Sequence, residues 1–200
     1  MTTYAMPTSI PPTQAEWGQA SNTWAWLSPL SGHIQTNEMP APRWRLSYSW
    51  LQLPVEYSAE LEAFMTKLHG KGNRFSAFNV SRPNPRGSFR GSPTVASTIA
   101  KGGTSGIIAG GGGQAGKTLL IGDFISINSE LKMVVADATA DGSGNITVSF
   151  EPPMRVAAPT SAPVIWDKPS AVFILDEDAV KWGYANTILT SLVLVGTEMW

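Results

Sequence analysis

Residues 42–54 read Pro42-Arg43-Trp44-Arg45-Leu46-Ser47-Tyr48-Ser49-Trp50-Leu51-Gln52-Leu53-Pro54. Trp44, Leu46, Tyr48 and Trp50 alternate with Arg43, Arg45, Ser47 and Ser49. A period of two puts the large apolar groups on one face of a strand and the polar groups on the other. The period then changes. Leu61, Phe64, Met65 and Leu68 fall at i, i+3, i+4 and i+7, one apolar stripe of an α-helix over about 58–69. Ser58 is expected to cap the first turn, and Glu60 and Glu62 suit the positive end of the helix dipole. Lys67 and His69 suit the other end, and Gly70 can take the left-handed conformation that stops a helix. Residues 74–80, with Phe75 and Phe78, read as the next strand. One amphipathic helix between two strands means a helix laid on a sheet.

Outward from this stretch the chain reads as β structure. Residues 1–16 are rich in Pro and Thr and suggest an extended arm. Residues 23–27, with Trp24 and Trp26 alternating, form a short strand, 28–32 a turn, and 34–38 a second strand. Residues 81–93 are a loop punctuated by Pro83, Pro85, Gly87, Gly91 and Pro93. Residues 94–116 are small and glycine-rich. Strands follow at 118–127, with Gly122-Asp123 as a turn or bulge, at 131–136, and at 146–150 after the Asp141-Gly142-Ser143-Gly144 turn. Residues 164–166, 171–175 and 187–195 complete the strands, and 176–184 suit a short turn of helix.

This spacing of short strands predicts a mainly β fold, a β-sandwich with one amphipathic α-helix and an inserted small β-barrel or meander. Residues 1–94 together with 157–200 are expected to form the main sandwich. Residues 95–156 are expected to form the inserted glycine-rich loop and meander.

Composition narrows the function classes. Net charge is −1 with no basic block, so there is no nucleic-acid footprint. No apolar run reaches the length of about 18 residues that a membrane span needs. The N-terminus lacks the charged and apolar regions of a secretory signal. The absence of cysteine fits assembly in a reducing cytosol and removes thiolate metal sites. Charged residues make up only 14% of the chain, against about 25% in an average domain. So little charge covers a monomer's surface poorly and leaves part of it for neighbours. Eight tryptophans suit either such contacts or an aromatic core.

Gly111 to Thr118 read Gly-Gly-Gly-Gln-Ala-Gly-Lys-Thr, a literal match to the nucleotide P-loop. That chemistry needs a buried strand before the loop and a helix after it, with Lys117 on the outer phosphates and Thr118 on magnesium. Upstream, the glycines at 102, 103 and 106 leave only Ile107, Ile108 and Ala109 as strand, and downstream Gly122-Asp123 would break a helix after one turn, so the run reads as a loop between strands. His33 and His69 lack acidic or histidine neighbours at ligand spacing. Asp123, Asp137 and Asp141 sit at turns, where Asp bonds its own backbone. No catalytic residue, cofactor site or metal site is expected.

The stretch Pro42-Arg43-Trp44-Arg45-Leu46-Ser47-Tyr48, preceded by Glu38, resembles the arginine-and-aromatic strand of the distal tail proteins of long-tailed bacteriophages. Glu60-Leu61-Glu62-Ala63-Phe64, Leu68-His69-Gly70 and Phe75 are similar to the helix, glycine and strand that follow in that family. Leu120-Ile121-Gly122-Asp123-Phe124-Ile125, Asp141 to Gly144 leading to Pro152-Pro153-Met154-Arg155, and the final strand ending in Glu198 resemble pieces of phage structural proteins broadly. The resemblance implies a ring-forming minor tail structural protein of the virion, a homo-oligomer of six copies or of three, assembled in the host cytoplasm. Such a ring joins the tail tube to the baseplate or tail-tip hub and meets the tube, tape-measure and hub proteins. It would need no catalysis and no cofactor. Arg43, Trp44, Arg45, Trp50 and Trp200 are then candidate contacts between copies or with partners, the shared apolar face of Trp44 and Trp50 leaving core as their alternative. A carbohydrate-binding β-sandwich that uses Trp24 or Trp26 as a sugar platform is the competing expectation.

Overall fold

The computed structural model describes residues 1–39, 42–185 and 188–199. The fold is mainly β, with one α-helix among the described residues. The strand Arg43–Pro54 lies between two antiparallel neighbours, Gln14–Ala20 and Leu189–Glu198. The far side of Leu189–Glu198 pairs with Trp182–Ala185 near its start and with Ser170–Leu175 near its end. Arg74–Phe78 pairs next to Ser170–Leu175, and Thr3–Ala5 completes the seven-stranded sheet in parallel orientation. The alternation read in residues 43–50 holds. Trp44, Leu46, Tyr48 and Trp50 are each 3% exposed or less, while Arg43 and Arg45 are exposed on the opposite face. Residues 176–184 hold no helix. Trp182–Ala185 is instead an edge strand, because the first residues of Leu189–Glu198 offer it a free ladder.

The helix Val55–Leu68 begins directly after the strand that ends at Pro54. Ser58 therefore lies inside the helix and is not its cap. Its hydroxyl donates to the Val55 carbonyl at 3.0 Å and bonds the Glu62 carboxylate at 2.7 Å. Pro54, in extended conformation, precedes the first turn without a side-chain cap. At the other end His69 takes the left-handed conformation (φ 50°) and donates its N–H to the Thr66 carbonyl. Gly70 follows at φ 59°. The expected stripe is the buried one. Leu61, Phe64, Met65 and Leu68 pack into the core of the main sheet, with Phe64 edge-on to Phe75 at 6.2 Å. Each such side chain contributes about 1.5–3 kcal/mol by leaving water.

The chain leaves the main sheet after Phe78 and re-enters it at Ser170, on the adjacent strand. Between them six strands pair antiparallel in the order Val164–Ile165, Phe124–Ile127, Glu130–Val134, Asn145–Glu151, Ser105–Ala109, Thr94–Val95. The two ends of this order meet. Thr94 bridges Pro163, the Val95 N–H donates to the Ala162 carbonyl at 2.9 Å, and the Val164 N–H donates to the Pro93 carbonyl at 3.0 Å. The strands thus close into a small barrel with its own core, in which Ile108, Ile127, Val134, Ile146, Val148 and Phe150 are fully buried. Residues 164–165, expected in the main sandwich, are a closing strand of this barrel, since the edge at Thr94–Val95 would otherwise stay unpaired. Phe124–Ile127 and Glu130–Val134 are joined by Asn128 and Ser129 at φ 50° and 68°, the backbone a tight two-residue hairpin demands. Gly144, at φ 81°, closes the Asp141 turn against the Gly111 carbonyl, where a Cβ would collide.

Candidate interaction surface

Gln14–Ala20 and Arg43–Pro54 form one edge of the main sheet, with Ala20 opposite Arg43. The chain between them runs out as a two-stranded ribbon, Thr23–Leu27 paired antiparallel with Ile34–Glu38. Residues 28–33 turn it. The Gly32 N–H donates to the Ser28 carbonyl at 3.0 Å, the Ser28 N–H donates to the His33 carbonyl at 2.9 Å, and Gly32 sits at φ 66°. Every residue of both strands is exposed. Register sorts the side chains into two faces, since directly paired residues point the same way. Leu27 faces Ile34 and Ala25 faces Thr36 on one side. Trp24 faces Asn37 and Trp26 faces Gln35 on the other. Leu30, at the tip, is 98% exposed.

The sequence-derived contact candidates divide between surface and core. Arg43 and Arg45 project from the open face of the sheet at the root of the ribbon. The Arg45 Nε donates to the Thr197 hydroxyl at 3.3 Å, and its guanidinium lies 3.9 Å from the Asp176 carboxylate. Trp44 and Trp50 are in the core. The Trp44 indole N–H donates to the Leu131 carbonyl at 3.0 Å, and that of Trp50 to the Ile10 carbonyl at 3.1 Å. Trp200 lies outside the described residues.

A buried charged junction ties barrel to sheet. Arg155 forks onto the Glu198 carboxylate, and its guanidinium also donates to the Pro42 carbonyl at 3.0 Å. The Glu198 carboxylate accepts the Trp44 N–H at 3.0 Å as well. Beside it the Glu130 carboxylate accepts the Lys132 ammonium at 2.8 Å and the N–H groups of Arg155 and Val156 at 3.0 and 2.9 Å. Burial pushes the Glu130 carboxyl up, but those N–H bonds and the Lys132 ammonium together outweigh it and hold the group below the usual carboxylate range. Burial pulls the Lys132 ammonium down from the ordinary lysine value, and Glu130 only partly restores it. The sequence reading missed this junction. Glu130 and Lys132 alternate like the solvent face of a strand, and nothing local marks them as covered.

The glycine run at 111–118 is a short 3-10 turn, Gly112–Gln114, followed by the two-residue strand Thr118–Leu119. The backbone donors of its second half, residues 114–118, are already engaged. The N–H of Gly116 donates to the Ala140 carbonyl, that of Lys117 to the Gln114 carbonyl, and that of Thr118 to the Ser88 hydroxyl. No helix follows to point its N-terminus at a phosphate, so the P-loop spelling does not make a P-loop geometry. Asp141 does bond its own turn, accepting from the N–H groups of Ser143 and Asn145. Asp123 also accepts from the Leu120 N–H of its own turn, and both it and Asp137 reach further. Asp123 accepts from the Arg86 and Gly87 N–H groups and anchors the 81–93 loop on the barrel, and Asp137 accepts from the Ile121 N–H.

Neither a protein-family model nor a curated protein matches this chain. No helix among the described residues is long and apolar enough to cross a membrane.

Proposed function

We propose that the chain is a structural subunit of a bacteriophage tail tip, one that builds a ring of identical copies between the tail tube and the baseplate hub. The exposed ribbon carries this reading. A two-stranded hairpin with neither face packed is marginally stable in water. This one nonetheless displays Leu27, Leu30 and Ile34 at 60% exposure or more. Those groups gain by seating on another surface, and an arm that leaves its own subunit reaches a neighbour naturally. Contacts of one arm on a different patch of the next copy are head-to-tail, and they close into a ring when the rotation allows. The low charge of the chain and the sequence resemblance to distal tail proteins support the same reading. Copies of itself, six or three, the tube protein, and the tape-measure and hub proteins are its partners, in the virion tail after assembly in the host cytoplasm. The subunit works by shape and contact, without catalysis or cofactor.

Multi-angle light scattering of the purified chain tests this. The expected result is a closed oligomer of one fixed copy number, alone or once tube protein is added. A strictly monomeric particle at tens of micromolar, unchanged by tube protein, would refute it.

A further inference from the structure

We propose that the second face of the ribbon, formed by Trp24, Trp26, Gln35 and Asn37, is a binding platform for a neutral polysaccharide. Trp24 and Trp26 are two positions apart on one strand, so their side chains project from the same side and their Cα atoms lie about 6.6–6.8 Å apart along it. They are 62% and 47% exposed, and neither belongs to a core cluster. The register puts one amide opposite each ring, Asn37 across from Trp24 and Gln35 across from Trp26. An indole offers a flat apolar surface to the C–H face of a pyranose. A side-chain amide offers two donors and an acceptor to the hydroxyls at the sugar's rim. Two such pairs in line match a repeating ligand with one polar edge per unit. Beyond Trp26 the row continues into a hollow lined by Trp26, Ser28, Ser31, Gly32, His33 and Gln35, whose hydroxyl, imidazole and amide groups suit a further sugar unit.

Charge and chemistry select the ligand. Residues 21–39 hold one charged side chain, Glu38, and neither lysine nor arginine. A nucleic acid needs cations along its phosphates and finds none here. An apolar protein surface would leave both amides unpaired on docking, at a cost that sugar hydroxyls avoid. That argument leaves the opposite Leu27–Ile34 face to the neighbouring copy. The platform itself does not depend on the assembly reading.

The test is isothermal titration of the full chain with cellohexaose, chitohexaose and maltohexaose, and with a single-stranded thymidine decamer as comparison. Copy number is followed in parallel by multi-angle light scattering. At least one hexasaccharide is expected to bind. Trp26→Ala should weaken it about tenfold. Trp24→Ala with Trp26→Ala should abolish it, with the copy number unchanged. Exposed positions make these variants safe for folding, and circular dichroism checks that. Heat signals absent for all three sugars, or unchanged in the double variant, overturn the inference. So does dissociation of the oligomer in the double variant, which would make the tryptophan face the assembly surface, or binding of the thymidine decamer in place of the sugars. Sugar binding by a monomer would uphold the platform while refuting the ring.

Discussion

Glu130 holds its negative charge more firmly folded than unfolded, and that sets a pH dependence. Its folded-state pKa lies below the ordinary value of 4.5. The stability it contributes is therefore complete above about pH 4.5 and drains as pH falls through the folded value. Urea midpoints at pH 7 and pH 3 should show this loss in the parent chain and a smaller one in Glu130→Gln. Arg155 presents the sharper case. Its side chain is 8% exposed and that of its partner Glu198 is 3% exposed. Removing one partner of such a pair strands the other charge in a dry place. Arg155→Ala is expected to cost about 3–5 kcal/mol in urea unfolding. A loss below 1 kcal/mol would mean that water reaches Glu198 readily.

At the level of elements, the helix end and the ribbon make opposite predictions. Gly70 has φ 59°, and a Cβ there would meet the backbone and carboxylate of Asp178, which already accepts the Lys71 N–H at 3.0 Å. Gly70→Ala should lose about 1–3 kcal/mol, from strain and displacement of that contact together. Ser58→Ala should cost less than the roughly 1 kcal/mol of a true N-cap, because the hydroxyl satisfies no first-turn N–H. Replacing residues 23–38 by a short glycine link removes no core residue. The melting temperature should hold within a few degrees while the proposed oligomer is lost, as seen by multi-angle light scattering with differential scanning calorimetry. A lowered melting temperature with the oligomer intact would assign the ribbon a role in its own subunit's fold.

For the whole molecule, two cores share one seam. Phe124 and Leu131, from barrel strands, belong to the core of the main sheet, where Trp17 and Trp44 meet Phe124 at 6.3 and 5.5 Å. Together with the Arg155–Glu198 fork, this seam makes barrel and sheet one mechanical unit. A single calorimetric transition is the expected outcome, and two separated transitions would show that the seam does not couple them. In the proposed ring, the exposed ribbon would supply the reach and the coupled cores the stiffness.

Much of this architecture was legible in the chain. The two-residue period of 43–50, the helical stripe through Leu61, Phe64, Met65 and Leu68, and the strands at 23–27 and 34–38 on either side of a glycine turn are local patterns. Backbone geometry and side-chain direction follow from near neighbours, so a sequence carries them openly. Which surfaces are covered is another matter, because the covering layer arrives from distant residues. Trp24 and Trp26 alternate just as Trp44 and Trp50 do, yet the first pair stands in water and the second lies in the core. Glu130 and Lys132 read as solvent-facing until the segment around Pro153 and Arg155 folds over them. Closure of the barrel at Thr94 and Pro163, and the fork that locks it to the last strand, rest on contacts between segments far apart in the chain. Periodicity settled which way each side chain points. Only the tertiary structure decided what, if anything, it meets there.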